Sequence, residues 1–208
     1  MKVVQDIALN FSVPVDLVPN LKSGIDRMEL LETKGSKQEV VVYWGYREAE
    51  LLAFLFDGDQ PDPAIPDIPS PIMRDYNWPG LYRPFDHQKD TASFLSLRRR
   101  AFCFNEAGTG KTSAAIWAAD YLMNIKQVKR VLVICPLSIM HTAWQADIFN
   151  TAMHRTAAVA HGDATKRRTI INGEYEFVII NFDGVSVVRD DIAKAKFDLI
   201  IVDEANAY

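Results

Sequence analysis

Five apolar runs mark the second part of the chain, at residues 101–104, 131–135, 156–160, 177–181 and 198–202. Each is continuously apolar rather than alternating. That is the pattern of strands buried on both faces of a parallel sheet. Between them lie segments with helical spacing, near 111–124, 138–150, 163–171 and 184–195. Parallel strands need crossover connections, and helices supply them. The pattern therefore predicts an α/β domain over residues 81–208, with a mostly parallel sheet between helices.

The first part reads differently. KVVQDIAL (2–9) and EVVVYWGY (39–46) have strand composition, rich in Val, Ile and aromatics. REAELLAFLF (47–56) sets Leu51, Leu52 and Leu55 on one side of a helix. A small α+β accessory domain is expected over residues 1–56. The stretch DGDQPDPAIPDIPSP then carries prolines at 61, 63, 66, 69 and 71. Proline fixes φ and has no N–H, so neither helix nor central strand runs through it. Residues 57–80 are expected to be a stiff, extended, Pro-rich linker.

With 49% hydrophobic residues, the chain forms a core without disulfides or metal. Its two cysteines, Cys103 and Cys135, sit inside apolar runs and make no Cys-x-x-Cys pair, which argues against zinc and for a reducing compartment. No signal peptide and no bilayer-length apolar stretch occurs. The expectation is a soluble protein of the cytoplasm in a bacterial or phage-infected cell, or of the nucleus in a eukaryote, without a membrane partner. The net charge of −4 is unevenly placed: residues 1–80 carry −6 and residues 81–208 carry +2. That asymmetry is compatible with a nucleic-acid-handling domain beside an acidic accessory one.

The candidate chemistry begins at Asn105-Glu106-Ala107-Gly108-Thr109-Gly110-Lys111-Thr112. Apolar Phe102-Cys103-Phe104 precedes it as an expected buried strand, and an alanine-rich helix follows. Strand, glycine loop and helix are the context a phosphate-binding loop requires. Gly108 and Gly110 let the backbone turn so that N–H groups, including those of Ala107 and Thr109, converge on one anion. The helix N-terminus adds its positive end. Lys111 neutralises the outer phosphates and the Thr112 hydroxyl ligates Mg²⁺. The strict pattern places Gly where Asn105 stands, a slot that closes the loop rather than touching phosphate. The bland alternative is a glycine turn capping a helix.

A matching acidic pair ends the segment FDLIIVDEANAY. Phe197 and Leu199–Val202 predict a buried strand, with Asp203 and Glu204 at its carboxyl end, where open α/β sheets bind ligands. Asp203 is expected to hold the metal and Glu204 to act as general base towards the attacking water. An acidic helix cap is the alternative for either one alone.

NEAGTGKT and DEAN resemble motifs I and II of superfamily 2 helicases, in which the first loop slot is commonly not glycine. The likeness is strongest to Swi/Snf-type DNA translocases and their phage or prokaryotic relatives, and covers residues 81–208. It implies a RecA-like P-loop fold, ATP and Mg²⁺ as cofactors, and nucleic acid, duplex DNA foremost, as partner. LYRPFDHQKDTASFL resembles the glutamine motif, with Gln88 reading the adenine edge. VLVICPLSIMHTAWQADI resembles motif Ia, with Pro136, Leu137 and Ser138 after a strand and Trp144 on the next helix. AHGDATKRR is similar to a short basic segment of the family. VIINFDGV resembles motif Ib, with Asn181 and Phe182 where the family often has Thr-Tyr. The resemblance assigns motifs Ia and Ib to the nucleic-acid backbone. Motif II usually ends in His where this chain has Asn206, an amide that takes no proton near neutral pH. The family also has a second RecA-like lobe that supplies arginines to the site. The expectation is that this chain is the N-terminal part of a longer motor, and that alone it is nearly inactive, because a missing arginine finger costs about 10³–10⁵ in rate.

Other residues keep two readings. Arg98-Arg99-Arg100 ends a helix as cationic caps or contacts nucleic acid. Lys166-Arg167-Arg168 is a solvated face or touches phosphates. His87 shapes the base pocket or packs. His141, His154 and His161 show no metal-ligand spacing. Trp117 and Trp144 read as core aromatics, and Trp44 and Trp78 as packing the accessory unit or the linker onto the motor lobe. The competing functions are a restriction-system motor subunit and a non-catalytic module that keeps a nucleotide fold.

Overall fold

A computed structural model of the chain describes residues 1–56 and 68–204. Residues 57–67 of the expected linker, and Asn206 with the chain's last four residues, lie outside the described residues. The chain divides into two compact units: Met1–Tyr76 with Ser93–Phe102, and Asn77–Ala92 with Cys103–Tyr208.

The first unit is built on an antiparallel sheet of β1 (Lys2–Val4), β2 (Ala8–Pro14), β3 (Met28–Lys34) and β4 (Lys37–Tyr43), in the order β1-β2-β4-β3. Its helices are α1 (Val18–Gly24), α2 (Tyr46–Phe56) and α3 (Ile72–Asp75). In β2, Leu9, Phe11 and Val13 are buried while Ser12 between them is exposed. This period-two alternation puts one face on the core and one in solvent. Val40 and Val42 of β4 and Leu52 of α2 close the same core. The sequence reading runs a strand through residues 2–9, but Gln5 and Asp6 both have positive φ and form the turn that folds β1 onto β2. β3 has no counterpart among the expected strands, because its residues are almost all exposed and carry no apolar period.

Helix α4 (Asp86–Leu97) is followed in the second unit by α5 (Lys111–Asn124), β5 (Val131–Cys135), α6 (Ala146–Ala152), β6 (Ala157–Val159), α7 (Ala164–Ile171), β7 (Phe177–Asn181), α8 (Phe182–Val187), α9 (Arg189–Lys194) and β8 (Leu199–Val202). The sheet is parallel, in the order β6-β7-β5-β8. Leu132, Val178 and Ile180 pack on one face with Ile171 and Val188. Their neighbours Val131, Val133, Phe177 and Ile179 are equally buried. Burial on both faces explains why the runs at 131–135 and 177–181 are continuously apolar. α5 is buried along most of its length and packs on α6.

Two expected buried strands differ. Residues 101–106 have no regular secondary structure, and Phe102 and Phe104 are 77% and 88% exposed. Apolar composition marks a segment as suited to a sheet, but a strand exists only where a ladder partner accepts from its N–H groups and donates to its C=O groups; among the described residues, none of the strands pairs with 101–104. β8 is an edge strand paired with β5, so Ile200 and Val202 stay half exposed. Phe197 precedes it and lies under the Arg130 guanidinium. The expected helix at 138–150 is three pieces: a 3-10 turn at Leu137–Ile139, a π turn at Met140–Gln145, then α6. The one at 184–195 is the two helices α8 and α9.

Candidate functional site

In a parallel sheet all strands point one way, so their carboxyl ends share one edge. β5 ends at Cys135, opposite Asn181 at the end of β7. β8 lies in register with β5, Val202 beside Ile134, and the Asp203 N–H donates to the Ile134 carbonyl at 2.9 Å. Pro136–Ser138, Asn181–Phe182 and Asp203–Glu204 therefore leave the sheet at a common edge, the edge where such folds place ligands.

The glycine loop stands at the head of α5. Gly110 is the residue before the helix, at φ +77° and ψ +35°, and Gly108 has φ +78°. Left-handed backbone at both positions is what glycine supplies. The Thr109 hydroxyl donates to the Glu106 carbonyl at 2.8 Å and tightens the turn. Lys111 Nζ donates to the carbonyls of Asn105 (2.8 Å) and Glu106 (3.1 Å), so the ammonium lies over the loop. Ala107 and Gly108 are exposed, and Thr112 is the second residue of the helix. The Asn105 side chain donates to Thr91 Oγ1 at 2.7 Å, which ties the loop to α4.

Gln88 makes the second tie. Its Nε2 donates to the Thr109 carbonyl at 3.3 Å while its Oε1 accepts the Phe85 N–H at 2.9 Å. The His87 ring stacks on Phe85 at 5.7 Å and reaches the same Thr109 carbonyl. His87, Asp90, Thr91, Asn105, Glu106 and Thr109 line an open depression of about 360 Å³ beside the loop.

The acidic pair is held in a defined geometry. Asp203 Oδ2 accepts the indole N–H of Trp144 at 2.9 Å, and Oδ1 accepts the Glu204 N–H at 3.0 Å. Glu204 has φ +55°, an uncommon conformation for a residue with a side chain. Behind it, burial and then the Asp203 charge push the Cys135 thiol up to about 12, so this cysteine stays protonated and unreactive. Among the described residues no cluster of three His, Cys, Asp or Glu side chains forms a metal cage. The donor set still suits magnesium, which binds through one or two protein oxygens together with phosphates and water.

Of the motif residues, Leu137 is 54% exposed and Ser138 is exposed at the sheet edge. Asn181 is only 5% exposed, and its side-chain oxygen accepts from Arg167 Nη1 at 3.0 Å. Arg167 also donates to the carbonyls of Ala160 and Gly162. It is thus a buried clamp rather than a solvated or phosphate-facing cation, which neither reading of Lys166-Arg167-Arg168 anticipated. Arg168 pairs with Asp191 at 3.1 Å. Arg98, just past the end of α4, lies over the Phe94 ring and donates to the Phe94 carbonyl, as a C-terminal cap does. His154 and Arg155 both meet the buried Asp120. Trp117 is buried against Trp78 and donates to the Pro79 carbonyl.

Fold and site together define a RecA-like α/β domain with a glycine loop at a helix N-terminus. The SNF2-related domain family matches residues 87–207, and the chain belongs to that family. Among solved structures of like fold is the Sulfolobus solfataricus SWI2/SNF2 ATPase core in complex with dsDNA, with a TM-score of 0.54 and 24% identity. The match covers 62% of this chain and 28% of that one. No match was found among the curated proteins. No helix among the described residues is long and apolar enough to cross a membrane.

Proposed function

We propose that the chain binds Mg-ATP in the loop 105–112 and couples its hydrolysis to movement along nucleic acid, duplex DNA foremost. One observation carries the reading: a glycine loop with Lys111 folded over it heads α5, in a unit whose Asp203–Glu204 pair ends a parallel strand. Magnesium-bound ATP, when present, supplies an anhydride whose cleavage favours movement. The loop N–H groups and the start of α5 hold its phosphates, and Lys111 exchanges two carbonyls for phosphate oxygens. Thr112 and Asp203 hold the magnesium, and Glu204 accepts the proton of the attacking water. Gln88 still has one N–H and one lone pair for the adenine edge. Pro136, Leu137, Ser138 and Phe182 meet the nucleic-acid backbone, with Asn181 as their anchor. The Sulfolobus core was solved with dsDNA, which supports duplex DNA as the track. In this reading residues 81–208 are a first lobe on which a second closes, residues 1–56 an accessory domain and 57–80 the linker.

The test is an equilibrium titration with a non-hydrolysable Mg-ATP analogue. Wild type should bind saturably, and Lys111→Ala should bind at least about tenfold more weakly, the loss of one charge-assisted contact. Equal binding by both, or none by either, overturns the proposal in favour of a nucleotide fold kept as a scaffold.

A further inference from the structure

The acidic pair has a partner for which the reaction above has no use. Trp144 is 1% exposed, and its indole N–H reaches Asp203 Oδ2. With the Glu204 N–H on Oδ1, each oxygen of this carboxylate is held by one donor and keeps a lone pair for a cation. A carboxylate held in this way offers its remaining lone pairs in one direction. Groups that orient a metal's ligands in this manner set the affinity of the site. The indole is also bound to its acceptor by burial, because at that depth an unmet N–H has no water to replace the lost bond.

Trp144 stands in the π turn Met140–Gln145. Such turns are rare and frequently lie at functional sites. The π turn continues from the 3-10 turn Leu137–Ile139, which begins at the exposed edge of the sheet with Leu137. A single run, 137–145, thus starts at the solvent rim and reaches Asp203 from within.

We propose that Trp144 is the positioning residue for Asp203, and that through it nucleic acid pressed on Pro136–Ser138 changes the affinity for magnesium. The inference rests on the roles given above to Asp203 and to residues 136–138. A push on the 3-10 turn is taken up by the wider turn after it. The indole N–H then moves, and the carboxylate turns with it.

The experiment titrates Mg²⁺ against mant-ADP bound to the 208-residue chain, with and without a short DNA duplex. It compares wild type with Trp144→Phe and with 3-benzothienylalanine at position 144, which keeps the indole's shape and replaces N–H by sulfur. In wild type, Mg²⁺ should tighten mant-ADP binding and the duplex should shift the Mg²⁺ half-saturation. In both variants the half-saturation should rise about 10- to 100-fold, the duplex-dependent shift should vanish, and binding in EDTA should be unchanged. A wild-type Mg²⁺ response and duplex shift in the isosteric variant overturn the proposal. Equal weakening with and without Mg²⁺ also overturns it, since that marks a purely structural role. A wild type indifferent to Mg²⁺ overturns the magnesium assignment itself, and this inference with it.

Discussion

Gln88 and Gly110 claim the same space: a β-carbon on residue 110 would overlap the Gln88 amide nitrogen. The glutamine is held there by Phe85 and Thr109, and the glycine by φ +77°. Loop and glutamine are therefore fitted to each other.

Gly110→Ala should accordingly destabilise the second unit by roughly 1–2 kcal/mol from left-handed strain alone, with a further loss as Gln88 gives up its two bonds. Gln88→Ala by itself loses the same two bonds and clears the overlap, so adding Gly110→Ala to it should cost only the strain. Urea unfolding of the single and double variants measures both parts. A double variant as stable as Gln88→Ala alone would show that backbone strain contributes nothing.

Lys111→Ala separates binding from stability. Among the described residues its ammonium donates to exposed loop carbonyls, so the unfolding free energy should stay within about 0.5 kcal/mol of wild type while nucleotide affinity falls. A large stability loss would make Lys111 a structural residue.

Arg167→Ala removes the donor shared by Ala160, Gly162 and Asn181. Leaving buried acceptors unpaired should cost about 3 kcal/mol. Arg167→Lys should recover little, since an ammonium lacks the fork that spans three acceptors. Gly184→Ala should be similarly harmful, because its β-carbon would overlap Arg167. Denaturant midpoints followed by circular dichroism check all three.

Acid should weaken the second unit through Glu176. Burial raises its pKa, but hydrogen bonds from Thr156 and the hydrogen bond and charge of Arg155 outweigh this and hold it below the usual 4.5. A depressed carboxyl contributes stability in full above its unfolded value. That contribution disappears as pH falls from about 4.5 through the lower folded value. Thermal midpoints between neutral pH and pH 3 should drop more steeply for wild type than for Glu176→Gln. Parallel curves would remove Glu176 from the acid response.

In the first unit, hydrophobic periodicity marks some strands and not others. β2 and β4 were partly legible, because alternation exposes one face and hides the other. β3 was not, because its register is set by pairing with β4 while its side chains face solvent. The π turn at 140–145 has no signature in the run PLSIMHTAWQ, which carries ordinary helical spacing.

Sequence alone determined what is local. Strands 131–135 and 177–181 were readable because burial on both faces demands unbroken apolar residues, and the loop was readable because Gly108, Gly110 and Lys111 act within one turn of chain. Tertiary structure alone decided what depends on partners. Whether 101–104 becomes a strand rests on a ladder neighbour, not on its own composition. Arg167 turned out to be a buried clamp because carbonyls from other segments surround it. Trp144 and Asp203, 59 residues apart, share a hydrogen bond only because β5 and β8 lie side by side. Hydrophobic spacing records how a residue meets solvent; it holds no record of which distant group it meets instead.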